Sequence, residues 1–185
     1  MKVRDVITAA LRLLGRAELA EAVAAKVILT GEFAETVNTL LYCFNAVEDE
    51  LARKYIPLNA SETMVSPDGD FYYKGFEHSP VTVKRVICGG EDIKFEVFPL
   101  FLRAGVEKVT VVYEYAPAKK FIDGESDFGA EVGERRMALG AAAEYCLING
   151  EVEAAEIWEN KYRSEIDSVQ NKLPVCGSLP RRRWV

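Results

Sequence analysis

Apolar residues recur every three or four positions near both ends of the chain and every second position in its middle. The pattern predicts helices, then strands, then helices again. Val3, Val6, Ile7, Ala10, Leu11 and Leu14 share one helical face over residues 3–14, and Gly15 offers a left-handed stop. A weaker helix is predicted over residues 17–29, with Leu19, Val23 and Val27 on one side before Thr30-Gly31 interrupts. The strongest stripe of this half joins Phe33, Val37, Leu40, Leu41, Phe44, Val47, Leu51 and Tyr55. Ile56-Pro57 ends it, because the residue before a proline avoids helical angles.

From residue 59 to residue 117 the period falls to two and the residues become β-branched or aromatic. Met64-Val65 and Phe71-Tyr72-Tyr73 flank Asp68-Gly69, a dipeptide suited to the positive backbone angles of a tight hairpin. Val81, Val83 and Ile87 alternate with polar residues, Gly89-Gly90 offers a turn, and Ile93, Phe95 and Val97 alternate again. A meander is the expected topology. Its last strand carries the clearest signal, since Val109, Val111, Tyr113 and Tyr115 fall on one face before Ala116-Pro117 closes it.

Residues 118–133 show charges, glycines and no period, which predicts an exposed loop. A helix with alanines at 138, 141, 142 and 143 follows to about residue 149, capped by Asn149-Gly150. The next, over residues 151–169, aligns Ala154, Trp158, Tyr162 and Val169, so the two form an antiparallel hairpin. Pro174, Gly177 and Pro180 then favour an extended arm. The fold class predicted is α+β. A mainly helical core packs residues 1–58 on the loop and hairpin of residues 118–170. An antiparallel β lobe is inserted at residues 59–117, and an extended C-terminal arm occupies residues 171–185.

Charge narrows the function classes. The 185 residues carry 23 Lys and Arg against 29 Asp and Glu, a net charge of −6, which disfavours sequence-independent binding to DNA phosphates. Met1-Lys2-Val3-Arg4-Asp5 is too charged for the start of a secretory leader, and no apolar run approaches the length of a membrane span, so a cytoplasmic, soluble protein is expected. Cys43, Cys88, Cys146 and Cys176 lack both metal-ligand spacing and disulfide density and read as reduced.

Chemistry is sparse. The single histidine, His78, lies in the loop sequence Glu77-His78-Ser79-Pro80 and reads as solvated, leaving serine or cysteine nucleophiles without the usual base. Glu48, Asp49 and Glu50 fan across roughly 200° of a helix and read as a solvated face. Gly89-Gly90 leads into no helix and forms no phosphate loop. Asp123, Glu125, Asp127 and Glu134 have part of a calcium-loop spacing, but Phe128 stands where the loop needs glycine. No catalytic residue, metal or cofactor is expected.

The whole arrangement is familiar. The run Ala138-Leu139-Gly140-Ala141-Ala142-Ala143-Glu144-Tyr145-Cys146-Leu147-Ile148-Asn149-Gly150, continued by Glu153-Ala154-Ala155-Glu156-Ile157-Trp158 and Lys161-Tyr162, resembles segments of the head-to-tail connector (neck adaptor) proteins of tailed bacteriophages. Val3-Arg4-Asp5-Val6-Ile7 and Ala52-Arg53-Lys54-Tyr55-Ile56-Pro57-Leu58 are similar as well, so the resemblance covers most of the chain through packing motifs. It implies a structural virion protein, assembled in the host cytoplasm. A ring of copies, commonly twelve, would sit beneath the portal, extend the DNA channel and carry a further neck or tail protein. DNA would pass through without sequence-specific binding, and no membrane is involved. The resemblance also implies that the arm inserts into the portal through Leu173, Pro174, Val175, Leu179, Pro180, Arg181, Arg182, Arg183 and Trp184. A proline-restricted arm loses less entropy on docking, and arginine with tryptophan is typical of interface hot spots.

Three rivals stand beside this reading. Another ring protein of the virion, a stopper or tail terminator, would be smaller or mainly β. A small DNA-binding regulator would place Arg181 to Arg183 on phosphates, and a hydrolase would use Asp123, Glu125 and Asp127.

Overall fold

The computed structural model describes residues 1–129 and 131–170. It is α+β, with five helices and small antiparallel sheets: α1 (Val3–Leu13), α2 (Ala17–Ala24), α3 (Glu32–Glu50), β1 (Leu58–Val65), β2 (Asp70–Tyr72), β3 (Pro80–Cys88), β4 (Glu91–Asp92), β5 (Glu96–Val97), β6 (Phe101–Arg103), β7 (Lys108–Tyr115), α4 (Glu134–Ile148) and α5 (Val152–Gln170).

The C-terminal hairpin of α4 and α5 packs on the N-terminal helices, α4 lying against both α1 and α3. One hydrophobic cluster joins them, with Val6, Ile7, Leu11, Leu40, Phe44, Val47, Met137, Leu139, Tyr162 and Ile166 among its fully covered members. The alanines of α4 permit a close approach, closest at Gly140. A Cβ added there would meet Val47 Cγ1 at 2.8 Å and Tyr162 Cε2 at 3.0 Å, so a residue without a side chain is required at this crossing. The predicted stops are in place: Gly15 and Gly150 both have positive φ, and the amide of Glu151 donates to the carbonyl of Cys146.

Some boundaries differ from the periodicity. Helix α2 ends at Ala24, and Val27 and Ile28 beyond it are exposed. Phe33 is exposed too, so the α3 stripe begins at Val37. The last turn before Pro57 widens to a π-helix at Leu51–Tyr55, and the Ile56 amide reaches back to the Leu51 carbonyl.

The lobe departs most from expectation. In place of a meander there are two sheets, one ordered β1-β7-β3-β4 and the other β2-β6-β5. Strand β7 is central, with Val109, Val111 and Tyr113 buried, which accounts for its strong alternation. The turn at Asp68-Gly69 forms, with the Gly69 amide on the Ser66 carbonyl, yet it closes no hairpin. Instead, Ser66 and Ala104 amides bond to Glu107 and Gly69 carbonyls, stitching this turn to the link between β6 and β7. The chain thus changes sheets there, β1 pairing with β7 and β2 with β6. Phe71 and Leu102, opposite one another, turn inward to a second cluster with Phe76, Val86 and Tyr113. Only the Gly89-Gly90 turn joins neighbours in sequence within the larger sheet, bringing Cys88 opposite Glu91.

Of the segment 118–133, expected as an exposed loop, the described residues, 118–129 and 131–133, form a strap bound to the helices. Phe128 and Val132 are buried in the helical cluster, the Lys2 and Glu125 backbones pair in an isolated antiparallel bridge, and the Val3 amide donates to the Gly124 carbonyl.

Candidate functional site

A buried carboxylate on α3 organises the strap. In the acidic triplet, Asp49 pairs with Arg53 at 2.7 Å and Glu50 with Lys54 at 2.8 Å, both near solvent. Glu48, in contrast, is fully buried, correcting its reading as part of a solvated face. The sequence held the signal. Position 48 lies four residues after Phe44 and three before Leu51, inside the apolar stripe.

Glu48 Oε1 accepts hydrogen bonds from Ser126 Oγ at 2.6 Å and from the Asp127 amide at 2.9 Å. Ser126 Oγ accepts in turn from the Phe128 amide. One helical turn earlier, Asn45 Oδ1 accepts from the Lys120 amide at 2.6 Å while Asn45 Nδ2 donates to the Lys120 carbonyl. Lys120 Nζ reaches Asp127 at 2.7 Å. Glu48 Oε2 is buried with no partner among the described residues. Burial pushes the Glu48 carboxyl above the usual carboxylate range, more strongly than its two hydrogen bonds and the Lys120 ammonium draw it down. The arrangement holds a backbone segment and can gain a proton, and Asn45 and Glu48 also line a cavity of about 420 Å³ with Tyr42, Arg53 and Pro117.

The calcium-like acids do not converge. Asp123 is drawn to Arg4 on α1 at 2.6 Å, a contact that holds its carboxyl below the ordinary range, and Asp127 turns inward to Lys120. Glu125 and Glu134 are exposed. No group of three or more potential metal ligands gathers among the described residues. His78 stacks on Tyr115 with centroids 4.1 Å apart, more enclosed than a solvated loop residue. Burial pushes the Cys43 thiol up to about 12, leaving it a packed apolar group.

Other open surfaces lie away from the strap. Gly15, Arg16, Leu19, Glu32 and Phe33 line a groove of about 560 Å³. A second, of about 470 Å³, runs between the end of α3 and the α4–α5 hairpin, lined by Glu50, Glu144, Leu147, Val152, Glu156 and Glu159. On the lobe, Phe98 and Phe101 stack at 4.7 Å, Tyr72 lies 5.4 Å from Phe101, and the Arg103 guanidinium covers both phenylalanines while pairing with Asp70.

No family model matches this chain. No curated protein matches it either. The arm positions Leu173, Pro174, Val175, Leu179, Pro180, Arg181, Arg182, Arg183 and Trp184 lie outside the described residues. Sequence reasoning missed the second groove because its acids come from three helices, and periodicity along one helix carries no information about another. Its only local sign is Leu147-Ile148 and Val152, apolar residues that flank the Asn149-Gly150 turn. No helix among the described residues is long and apolar enough to cross a membrane.

Proposed function

We propose that this chain is a structural subunit of the ring that joins the head of a tailed phage to its tail. It sits beneath the portal, extends the DNA channel and docks through its C-terminal arm. What carries the reading is where the large apolar side chains stay in water. Isolated exposed apolar residues are ordinary and the lobe has its share, but several on the helical body lie close in sequence on two short stretches. Ile28 is 91% exposed, with Val27 and Phe33 exposed close by in sequence, while Leu147, Ile148 and Val152 are exposed at the turn of the α4–α5 hairpin and Ile157 further along α5. Such stretches suit contacts with neighbouring copies and with the proteins above and below. Asp123 and Asp127 of the strap, by comparison, are committed to ion pairs, and Glu48 of α3 to the Asp127 amide, which suits a scaffold.

Electron microscopy of the full chain mixed with its cognate portal tests this directly, an added ring of density below the portal being the expected result. Deleting residues 173–185 leaves a folded protein and abolishes co-sedimentation with portal assemblies. Full portal occupancy by the truncated chain would refute docking by the arm.

A further inference from the structure

We infer that the C-terminal arm has a seat on its own body, the groove between the end of α3 and the α4–α5 hairpin, and that residues 171–185 of the same chain are its occupant. This seat requires no portal, so it stands apart from the ring reading.

Charge is the first support. The arm contains Lys172, Arg181, Arg182 and Arg183 and no acid, leaving 19 cations against 29 acids in the rest of the chain. The groove gathers Glu50, Glu144, Glu156 and Glu159 from three helices. Lys54 at 2.8 Å from Glu50 and Arg163 at 2.6 Å from Glu159 answer two of them. Among the described residues, neither Glu144 nor Glu156 has an ion pair. Burial holds the Glu144 carboxyl above the ordinary range, and repulsion from Glu50 and Glu159 adds to it, as expected of a site that lacks its cation. Beneath the groove, the Tyr162 hydroxyl is buried without a partner among the described residues, within reach of the fields of Glu50, Glu144 and Glu159.

Shape is the second. Leu147 and Val152 are more than half exposed on the groove wall, and the arm offers Leu173, Val175, Leu179 and Trp184 between its cations. An apolar strip rimmed by carboxylates therefore meets a segment with apolar residues and terminal arginines, whose planar guanidinium groups bind carboxylates in pairs of hydrogen bonds.

Reach is the third. Doubling back from Gln170 to Val152, at the far end of the groove, spans about 27 Å of helix at about 1.5 Å per residue. The eleven residues from Gln170 to Arg181 extend about 36 Å at about 3.3 Å each. The arginines can therefore sit over Glu144 and Glu156 with slack. Tethering also gives the arm a millimolar effective concentration at its own groove, which favours it over the arm of another copy in dilute solution.

The test uses the full chain carrying Cys88→Ser, with a nitroxide on Cys176, since Cys43 and Cys146 are buried. Amide NMR signals of Leu147, Val152 and Glu156 are expected to weaken about twofold or more, unchanged by about tenfold dilution. The triple variant R181E/R182E/R183E, or about 1 M NaCl, which cuts the Debye length to about 3 Å, restores them. Weakening confined to the last turn of α5 overturns the proposal. So does weakening that appears only when spin-labelled chains are mixed with isotope-labelled ones, because the occupant is then a second copy. Persistence of the effect in the triple variant overturns the role of charge.

Discussion

The helical body and the β lobe solve the same problem, covering apolar side chains, with different resources. In the body, each helix contributes a whole face to one cluster, and even the aperiodic strap supplies Phe128 and Val132. In the lobe, a small cluster around Phe71, Leu102, Val111 and Tyr113 is bounded by short strands and by polar contacts at its surface. The Glu62 carboxylate, for example, accepts from the Tyr113 hydroxyl and from the Glu77 amide, and Thr63 and Thr110 bond across β1 and β7. The body is thus fixed by the packing of whole helix faces, the lobe by strand pairing and by polar links between its strands and loops. Stability should therefore be shared unequally, the lobe able to loosen while the body holds.

Paired truncations give the largest test. Phe44→Ala in the body and Phe71→Ala in the lobe each delete a fully covered aromatic side chain, a change worth about 3–5 kcal/mol. Phe44→Ala is expected to lower the whole urea transition. Phe71→Ala should speed amide exchange in β2, β6 and β7 and leave α1 and α4 protected. Equal loss of protection in both regions would erase the distinction.

The strap ties the comparison to a single group. Glu48→Ala leaves the Ser126 hydroxyl and the Asp127 amide without their buried acceptor, at about 1–3 kcal/mol for each orphaned group. Proteolysis within residues 118–133 is the sensitive readout. Glu48→Gln keeps an acceptor and removes the charge. The Glu48 carboxyl is raised in the folded state, so its contribution is full below the ordinary carboxyl range and is lost as pH rises through the folded value. The Gln variant escapes that loss. Urea unfolding between about pH 4 and pH 8 should therefore show Gln gaining on Glu from the ordinary glutamate value of about 4.3 upward, with its advantage largest above the raised folded value. A flat difference would mean that Glu48 is charged and compensated throughout.

A smaller effect is expected at the tightest crossing of the body. Gly140→Ala gains about 1 kcal/mol of helix propensity, but its methyl group intrudes on Val47 and Tyr162, and overpacking costs about 1–3 kcal/mol. A net loss of about 1 kcal/mol is expected from thermal unfolding, and a stabilised variant would show that the crossing relaxes.

The same contrast explains what the sequence made legible. Helix faces were readable because a helix buries a stripe at its own period, whatever lies opposite: Val37, Leu40, Phe44, Val47 and Leu51 are all buried. Strand alternation marked which residues turn inward, such as Val109 and Val111, but not which strand lies beside them. The order β1-β7-β3-β4 therefore had to come from the structure. The Asp68-Gly69 turn was correctly placed and wrongly connected, since a turn fixes direction and not partner. The strap failed differently. Its order comes from side chains on α3, Asn45 and Glu48, and a segment held by another element's side chains need show no period of its own. Glu48 was mistaken for its neighbours because three adjacent acids look alike until the phase of the stripe is applied to each.

The smallest test separates the lobe's surface links from the body's buried ones. Lys84 stands where the register of β3 on β7 shifts, and its ammonium lies 2.8 Å from Glu114 with both side chains partly in water. Such a pair couples by about 0.2–1 kcal/mol. A double-mutant cycle with Lys84→Met and Glu114→Gln should give a value in that range at low salt, and one near zero in about 1 M NaCl, where the Debye length is about 3 Å. The corresponding cycle with Glu48→Ala and Ser126→Ala, on a buried strap contact that is no exposed ion pair, should keep its magnitude in the same salt. If both couplings vanish together, the strap is held by screened charge as the lobe surface is, and the two regions differ in size rather than in kind.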